Sequence, residues 1–429
     1  MLLIYTQKVT PRILYTFKHI CTHLLGIPIK FTSKIEEFIA HDGPKMSYGK
    51  QPMGNEFFIQ KVDLLMEQGF SDFEIKVLPW EDTVCFFAVQ DASELPFDIF
   101  AASFYLLSRY EEYLPHVKDS AGRFPPAESL AAQESFLHQP VVDIWALKFR
   151  DILLERFPDL EWKERQFNPN SIISVEHTFI FRNKGFLRSF IGLHKDLLKL
   201  DFQKVIDRIQ VWLRVKEDPH AVFDDLTRLI KEHRLGMLFM FQLSDFSVHD
   251  RNISYNRITH RAVIKSVADY ARVGLLMGYY AMDEIKTLRR EKLRMEEIVH
   301  SPLEHAMNSR FNLQLPDYYN NLTELEINHD YSMGYPDMAG FRAGTCNPYL
   351  FYDINMEVTT PLKLHPYAFH SSVADLVPKG KLREDLTRML AEVREVGGDF
   401  YAVFKNQDFS EYAESKFYYS LLNQVYGLE

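Results

Sequence analysis

The feature that most constrains this fold is a regular alternation of short apolar runs and helical segments in the second half of the chain. Apolar runs of strand length lie at residues 172–175, 237–241, 273–277 and 400–404. Segments with helical spacing lie at about 199–214, 221–233, 257–272, 283–299 and 380–396. This alternation predicts parallel strands joined by crossover helices. We therefore expect an α/β fold arranged as an irregular (β/α) barrel, with any active site at the carboxyl ends of its strands.

The first half has a different pattern of apolar residues, which predicts a smaller α/β domain. Strands are expected at Leu2–Tyr5, 57–62, 73–77 and 84–89, and helices from Pro11 onward, at 96–113 and at 142–157. The front of the segment 96–113 is apolar nearly all round, which is typical of a buried helix. We expect two domains, residues 1–165 and residues 166–429.

Charge, hydropathy and cysteine spacing exclude several classes of protein. The formal net charge of −10 disfavours binding to nucleic acid, whose phosphates would be repelled. No uncharged apolar stretch approaches the roughly 18 residues of a membrane span. Cys21, Cys85 and Cys346 form neither a zinc-type pair nor a disulfide framework, which favours a reducing, cytoplasmic location. Glycine motifs for nucleotides and the serine-hydrolase elbow are missing from the sequence.

Ten short runs carry a resemblance to a known family. They include YGKQP at 48–52, SRYEEY at 108–113, NISYN at 252–256, DYSMGY at 330–335 and GFRA at 340–343. In these runs the chain resembles bacterial polysaccharide deacetylases that join an N-terminal domain of unassigned function to a NodB-homology domain, similar to carbohydrate esterase family four. The resemblance spans most of the chain and implies the barrel fold.

The resemblance also implies a specific chemistry. Similar enzymes hold a divalent metal with an aspartate and two histidines, and the metal polarises an acetamide carbonyl and acidifies a water. A second aspartate takes the proton from that water, and a histidine on a late strand protonates the departing amine.

Most of the corresponding positions in this chain carry other residue types. Ser174 stands at the base position, and Glu176 stands at the metal-binding aspartate. Leu276 replaces one histidine ligand, and Ser309 lies in the degraded motif of the other. Lys405 stands where relatives carry the late-strand histidine. A lone carboxylate cannot hold a metal that needs three protein ligands, so we expect neither a metal nor deacetylase activity.

The leading hypothesis is therefore a non-catalytic protein that binds a carbohydrate-type ligand or a protein partner. Its candidate ligand-binding residues are Glu176, His177, Asp330, Arg342, Lys405 and Gln407. Arg342 has two interpretations of about equal weight, a structural pair with Asp330 or a clamp for a carboxylate or phosphate.

Two alternatives stay open at this point. The first is an active metal-dependent carbohydrate N-deacetylase, with Zn²⁺ or another divalent ion on a shifted site. That site would use Glu176 and His305 with one further residue from the set His329, Asp330, His365 and His370. His177 is not expected to share a metal with Glu176, because successive strand residues point to opposite faces. The second alternative assigns the function to residues 1–165 and treats the barrel as a platform.

Overall fold

The computed structural model describes residues 1–182 and 186–428 and has a mixed α/β fold, as the sequence predicts. The strands are β1 (Leu2–Tyr5), β2 (Ile29–Thr32), β3 (Lys45–Gly49), β4 (Phe57–Gln60), β5 (Leu78–Trp80), β6 (Thr83–Cys85), β7 (Asn168–Val175), β8 (Gly236–Gln242), β9 (Arg272–Met277), β10 (His305–Asn308), β11 (His329–Asp330), β12 (Tyr349–Asp353), β13 (Val358–Leu364), β14 (Phe369–His370) and β15 (Asp399–Lys405). The helices are α1 (Pro11–Phe17), α2 (Ile35–Ile39), α3 (Ile99–Leu107), α4 (Leu130–Gln133), α5 (Val141–Arg156), α6 (Phe186–Leu198), α7 (Phe202–Trp212), α8 (Phe223–His233), α9 (Ile258–Ala268), α10 (Ile285–Val299), α11 (Asp317–Glu324), α12 (Lys379–Glu395) and α13 (Ser415–Tyr426).

The chain divides into two compact units. The first unit consists of Met1–Asn168, Phe311–Glu324 and Asn328–Tyr401. The second consists of Pro169–Arg310, Leu325–Ile327 and the chain from Ala402 onward. The first unit is thus built from segments that are far apart in sequence. The division at residues 165 and 166 stays a prediction.

The first unit is organised around a parallel sheet and a buried helix. Its strands lie in the order β2-β1-β3-β4, and all three pairings are parallel. Every residue of α3 is buried, as the apolar sequence predicts. Asp98 caps this helix by accepting hydrogen bonds from the backbone N–H groups of Phe100 and Ala101 at 3.1 and 3.0 Å. A further antiparallel pair, β12 with β13, continues into a parallel pairing of β13 with β11.

The second unit contains four parallel strands in the order β10-β9-β8-β7. These strands are apolar on both faces and mostly buried, which is typical of a parallel sheet covered by helices. Over the described residues, the hydrogen-bonded strands form an open row and do not close into a barrel. The unit nevertheless gives one shared edge to the carboxyl ends of its strands, where ligands bind in α/β folds.

Several predicted elements differ from the structure. The strand expected at 84–89 is shorter, since β6 ends at Cys85. The strand expected at 73–77 is wrong: these residues have no regular structure, and the neighbouring strand is β5. The helix expected at 96–113 ends at Leu107, because Arg109 has a left-handed backbone with a φ of 55°. In the part of the chain that the structure describes, no helix combines the length and the apolar composition that a membrane span requires.

Candidate ligand-binding site

Strand register places two of the predicted catalytic positions at the carboxyl edge of the second unit. Ser174 in β7 pairs with Met240 in β8. Leu276 in β9 lies between Gln242 in β8 and Met307 in β10, and it is fully buried. The ligand position that the resemblance assigns to a histidine is therefore occupied by an apolar side chain with apolar or amide neighbours. It cannot coordinate a metal.

The remaining candidates of this unit differ in their accessibility. Ser174 and Ser309 are buried, Glu176, His177 and Lys405 are partly exposed, and Gln407 is exposed. Within residues 1–182 and 186–428, no group of three or more His, Cys, Asp or Glu side chains is arranged to hold a metal ion. The donor set around Glu176 does not fit the metal centre of the family that the chain resembles.

The loop after β15 is tied to the residues that follow β7. Asn406 donates from its Nδ2 atom to the backbone oxygens of His177 and His220, at 3.0 and 3.3 Å. The backbone N–H of Lys405 donates to Asp408 at 2.8 Å. These hydrogen bonds fix the backbone at Lys405 and the backbone at His177 relative to each other.

Two carboxylates that sequence reasoning did not select lie beside the end of β9. Asp250 accepts hydrogen bonds from the side chain of Gln242 and from the backbone N–H of Tyr279, both at 2.9 Å. Glu291, on α10, accepts from the backbone N–H of Gly278 at 3.0 Å. A Cβ atom on Gly278 would lie 2.7 Å from Glu291 Oε1 and 3.0 Å from Asp250 Oδ2. Only glycine allows both carboxylates to approach the chain so closely.

Burial makes the carboxyl group of Glu291 an unusually weak acid. Desolvation raises the pKa of Glu291 to about 7, and the nearby Asp250 raises it further, while the hydrogen bond from Gly278 opposes the change. The charge of Arg294 also opposes the change, but its guanidinium donates to the Leu243 backbone oxygen and to Asp245. Near neutral pH this carboxyl group is therefore partly protonated and can donate as well as accept a hydrogen bond.

An aromatic surface lies beside Asp250. The ring of His249 stacks on Tyr279 with centroids 3.8 Å apart, and Tyr280 packs edge-on against Tyr279 at 5.2 Å. Arg310 donates to the backbone oxygen of His249 and lies 3.9 Å from Asp250. The Tyr280 side chain is 52% exposed. This arrangement offers flat apolar faces with charged and hydroxyl groups at their edges.

Three hydroxyl groups near the same strand ends are buried without a protein partner. They belong to Thr178, Ser244 and Ser309, which follow β7, β8 and β10. Among the described residues no side chain or backbone group bonds to their oxygen atoms. Buried hydroxyls are normally hydrogen-bonded, so these three groups are exceptions to that rule.

Arg342 belongs to the first unit and is fully engaged there. Its guanidinium donates to both carboxylate oxygens of Glu112, at 2.9 and 2.7 Å, and to the backbone oxygen of Gly334 at 3.2 Å. Arg109 binds Glu112 at 2.7 Å and donates to the backbone oxygen of Arg342. Burial opposes ionisation of Glu112, but the two arginines hold the pKa of its carboxyl group below the ordinary value.

Asp330 also has structural partners inside the first unit. It accepts hydrogen bonds from the hydroxyl of Tyr318 at 2.8 Å and from the hydroxyl and backbone N–H of Ser332 at 2.7 and 2.9 Å. Of the two interpretations of Arg342, the structural pair with Asp330 is wrong, because Arg342 pairs with Glu112 instead. Glu112 lies in SRYEEY, one of the runs that carry the resemblance.

A cavity of about 630 Å³ lies at the opposite, amino end of β8, β9 and β10. Its lining includes Gly236, Arg272 and His305. We place the ligand site at the carboxyl ends instead, because the buried carboxylates, the unpaired hydroxyls and the aromatic rings are there. The sequence contains two signals of this site that were not used: the polar loop directly after β8 and the tyrosine pair directly after β9.

Comparison with known proteins gives a family for the first part of the chain only. Residues 2–158 match a family model described as a family of unknown function (DUF7033). The match covers less than half of the chain. No curated protein sequence matches.

Several solved structures are similar to the chain. One, from Mycobacterium smegmatis and provisionally named a polysaccharide deacetylase, has 12% identity and a TM-score of 0.36 over 61% of this chain and 88% of its own. A pseudoenzyme of carbohydrate esterase family 4 from Bacillus anthracis has 7% identity and a TM-score of 0.31 over 61% of this chain and 62% of its own. The allantoinase PuuE has 10% identity and a TM-score of 0.36, with 73% and 92% covered. The likeness is partial and assigns no site residue.

Proposed function

We propose that the chain is a deacetylase-like protein that binds a carbohydrate without deacetylating it, at the carboxyl edge of the second unit. The proposed fold of this part is an open relative of the (β/α) barrel. A cytoplasmic location is proposed from the cysteines, which the structure describes as buried free thiols.

The observation that carries the proposal is the composition of this edge. Tyr279, Tyr280 and His249 present aromatic faces, on which the C–H face of a pyranose ring can pack. Arg310, whose side chain is 39% exposed, lies beside these rings and can donate to sugar hydroxyls, while the buried Asp250 holds the loop through Gln242 and the backbone N–H of Tyr279. A mostly apolar surface with a few fixed polar groups is typical of sites for small polar ligands.

The same edge lacks the groups that deacetylation needs. The hydroxyl of Ser174 cannot act as a carboxylate base near neutral pH, and Leu276 cannot bind a metal. Lys405 carries a positive charge, which would oppose a divalent cation. Because base, ligand and acid positions are all changed, loss of activity does not depend on any one replacement.

Isothermal titration with chitooligosaccharides tests the binding proposal. We expect the wild type to bind, and Tyr279→Ala with Tyr280→Ala to lower the affinity by about tenfold or more, because two apolar faces are lost. Tyr270→Ala is the matched control: Tyr270 is also exposed in the second unit but lines the cavity at the opposite strand ends. Absence of binding, or equal losses in both variants, contradicts the proposal.

Release of acetate separates binding from catalysis. Wild-type protein incubated with chitooligosaccharides and zinc or cobalt is expected to release no acetate above a protein-free control. Acetate release that disappears in Glu176→Ala would establish the shifted metal site instead. In that case the binding experiment would still succeed, so the two outcomes are distinguishable.

A further inference from the structure

Helix α7 in the second unit has its polar and apolar faces reversed relative to an ordinary surface helix. Its buried residues are Asp207, Arg208 and Val211. Its other face carries Phe202, Ile206, Ile209 and, just beyond the helix, Leu213, at spacings of four, three and four residues. Ordinary surface helices bury this apolar stripe and expose the charges.

The charged face of α7 is anchored by specific contacts. Asp207 accepts a hydrogen bond from the hydroxyl of Tyr412 at 2.6 Å and binds Lys216 at 2.9 Å. Arg208 binds Asp196 of α6 at 3.1 Å, and its guanidinium lies 4.6 Å from the centroid of the Phe181 ring. These contacts fix the orientation of α7, so the outward direction of the apolar stripe follows from the fold.

The exposed surface continues onto α6 and the turn between the helices. We call it the apolar hairpin face, and its principal residues are Leu198, Leu200, Phe202, Ile206, Ile209 and Leu213. Leu198 is 73% exposed and Leu213 is 69% exposed. So many large apolar side chains on one surface indicate a binding site for another surface.

The charges beside the apolar hairpin face indicate which kind of surface would cover this face. Residues 189–216 contain six Lys and Arg against three Asp, although the whole chain has a net charge of −10. The cations Lys195, Lys199 and Arg214 are exposed. In a symmetric dimer each patch meets its own copy, so these cations would face one another. A second copy is therefore a poor partner, and an anionic surface is a good one.

We propose that the apolar hairpin face attaches the protein to an anionic lipid bilayer. Amphipathic helices with Lys and Arg beside a stripe of Leu, Ile, Phe and Trp lie in the interface of such bilayers. The bound helices would lie in the plane of the membrane with Trp212 at headgroup level, where amphipathic aromatic side chains are favoured. Nearby lysines would gain from the negative surface potential.

Co-sedimentation with vesicles tests this proposal on the full chain. We expect binding to vesicles of phosphatidylcholine mixed with phosphatidylglycerol, and much weaker binding to phosphatidylcholine alone. Ile206→Glu with Leu213→Glu should lower the partition coefficient by about tenfold or more, since each buried aliphatic side chain contributes roughly that factor. These residues are exposed, so the variant should keep the wild-type melting temperature.

Ile258→Glu is the matched control, because Ile258 is 85% exposed on α9, outside the apolar hairpin face. It should bind vesicles like the wild type. Lys195→Gln with Lys199→Gln should weaken binding at about 0.1 M salt and have little effect at about 1 M, where charges are screened. Equal binding to both vesicle types, no binding to either, or a wild-type dimer in light scattering that the Glu variant abolishes would overturn the proposal.

Discussion

Replacing Glu291 by glutamine should make the second unit more stable, and the gain should grow with pH. In the folded protein burial raises the pKa of Glu291 from 4.5 to about 7. Glutamine keeps the carbonyl oxygen that accepts from the backbone N–H of Gly278, but it never ionises. The variant therefore removes the cost of a buried charge beside Asp250 while it retains the hydrogen bond.

The sign and magnitude follow from linkage between protonation and folding. Below pH 4.5 the group is protonated in both states, and wild-type stability is not reduced. As the pH rises from 4.5 to about 7, the unfolded chain releases its proton before the folded protein does, and the free energy of unfolding falls. At about 1.4 kcal/mol for each pH unit between the two pKa values, the total loss is about 3 kcal/mol.

Urea unfolding followed by circular dichroism at about pH 5 and about pH 8 measures this effect. We expect Glu291→Gln to differ little from the wild type at the lower pH and to be about 2–3 kcal/mol more stable at the higher pH. Glu297→Gln is the control on the same helix, because Glu297 is exposed and forms a surface pair with Arg261. A stability difference that does not change with pH, or a variant less stable than the wild type at about pH 8, would refute the reasoning.

Three other predictions test the remaining features. Glu112→Gln should lower the free energy of unfolding by about 3–5 kcal/mol in urea titrations, because it leaves the buried guanidinium of Arg342 without a countercharge, whereas Arg109 keeps its ion pair with Glu111. Asp151→Asn, in an exposed pair, should change the free energy of unfolding by less than about 1 kcal/mol. Elemental analysis should find no stoichiometric zinc, and Glu176→Ala should leave the melting temperature in zinc unchanged; one zinc per chain that this variant loses would contradict both expectations. The three thiols, all buried, should react with Ellman's reagent only after unfolding, and rapid labelling of the native protein would show that a thiol is accessible.

The sequence was most informative where periodicity is long and regular. The runs that became β7, β8, β9 and β15 were predicted to within a few residues, and so were the helices α7, α8, α9, α10 and α12. The failure at 73–77 has a physical cause, since alternation of apolar residues reports burial and not backbone pairing. Phe73 is held by ring contacts with Phe87 and Tyr110. Helix α6 was not predicted.

The candidate site was less accessible to sequence reasoning. A resemblance can indicate which residue types have been replaced, so Ser174, Leu276 and Lys405 could be selected from an aligned motif. Asp250 and Glu291 are 41 positions apart, and their approach depends on the missing side chain of Gly278. No local sequence pattern predicts that these two carboxylates lie close together, because their proximity depends on how a loop and a helix pack at the end of one strand.

The discontinuous first unit has a consequence for how the protein can be made. Its ion pairs join Glu112 to Arg342 and Arg12 to Glu357, so the N-terminal segment lacks these partners until residues beyond 340 have been translated. At ribosomal rates of about 5–20 residues per second, the interval between residue 168 and residue 401 lasts roughly 10–50 s. During that time the apolar faces of α3 and α5 that are buried in the folded protein remain exposed. The supply of chaperones should therefore limit the yield in a heterologous host. A truncated clone that stops near residue 165 should give insoluble material.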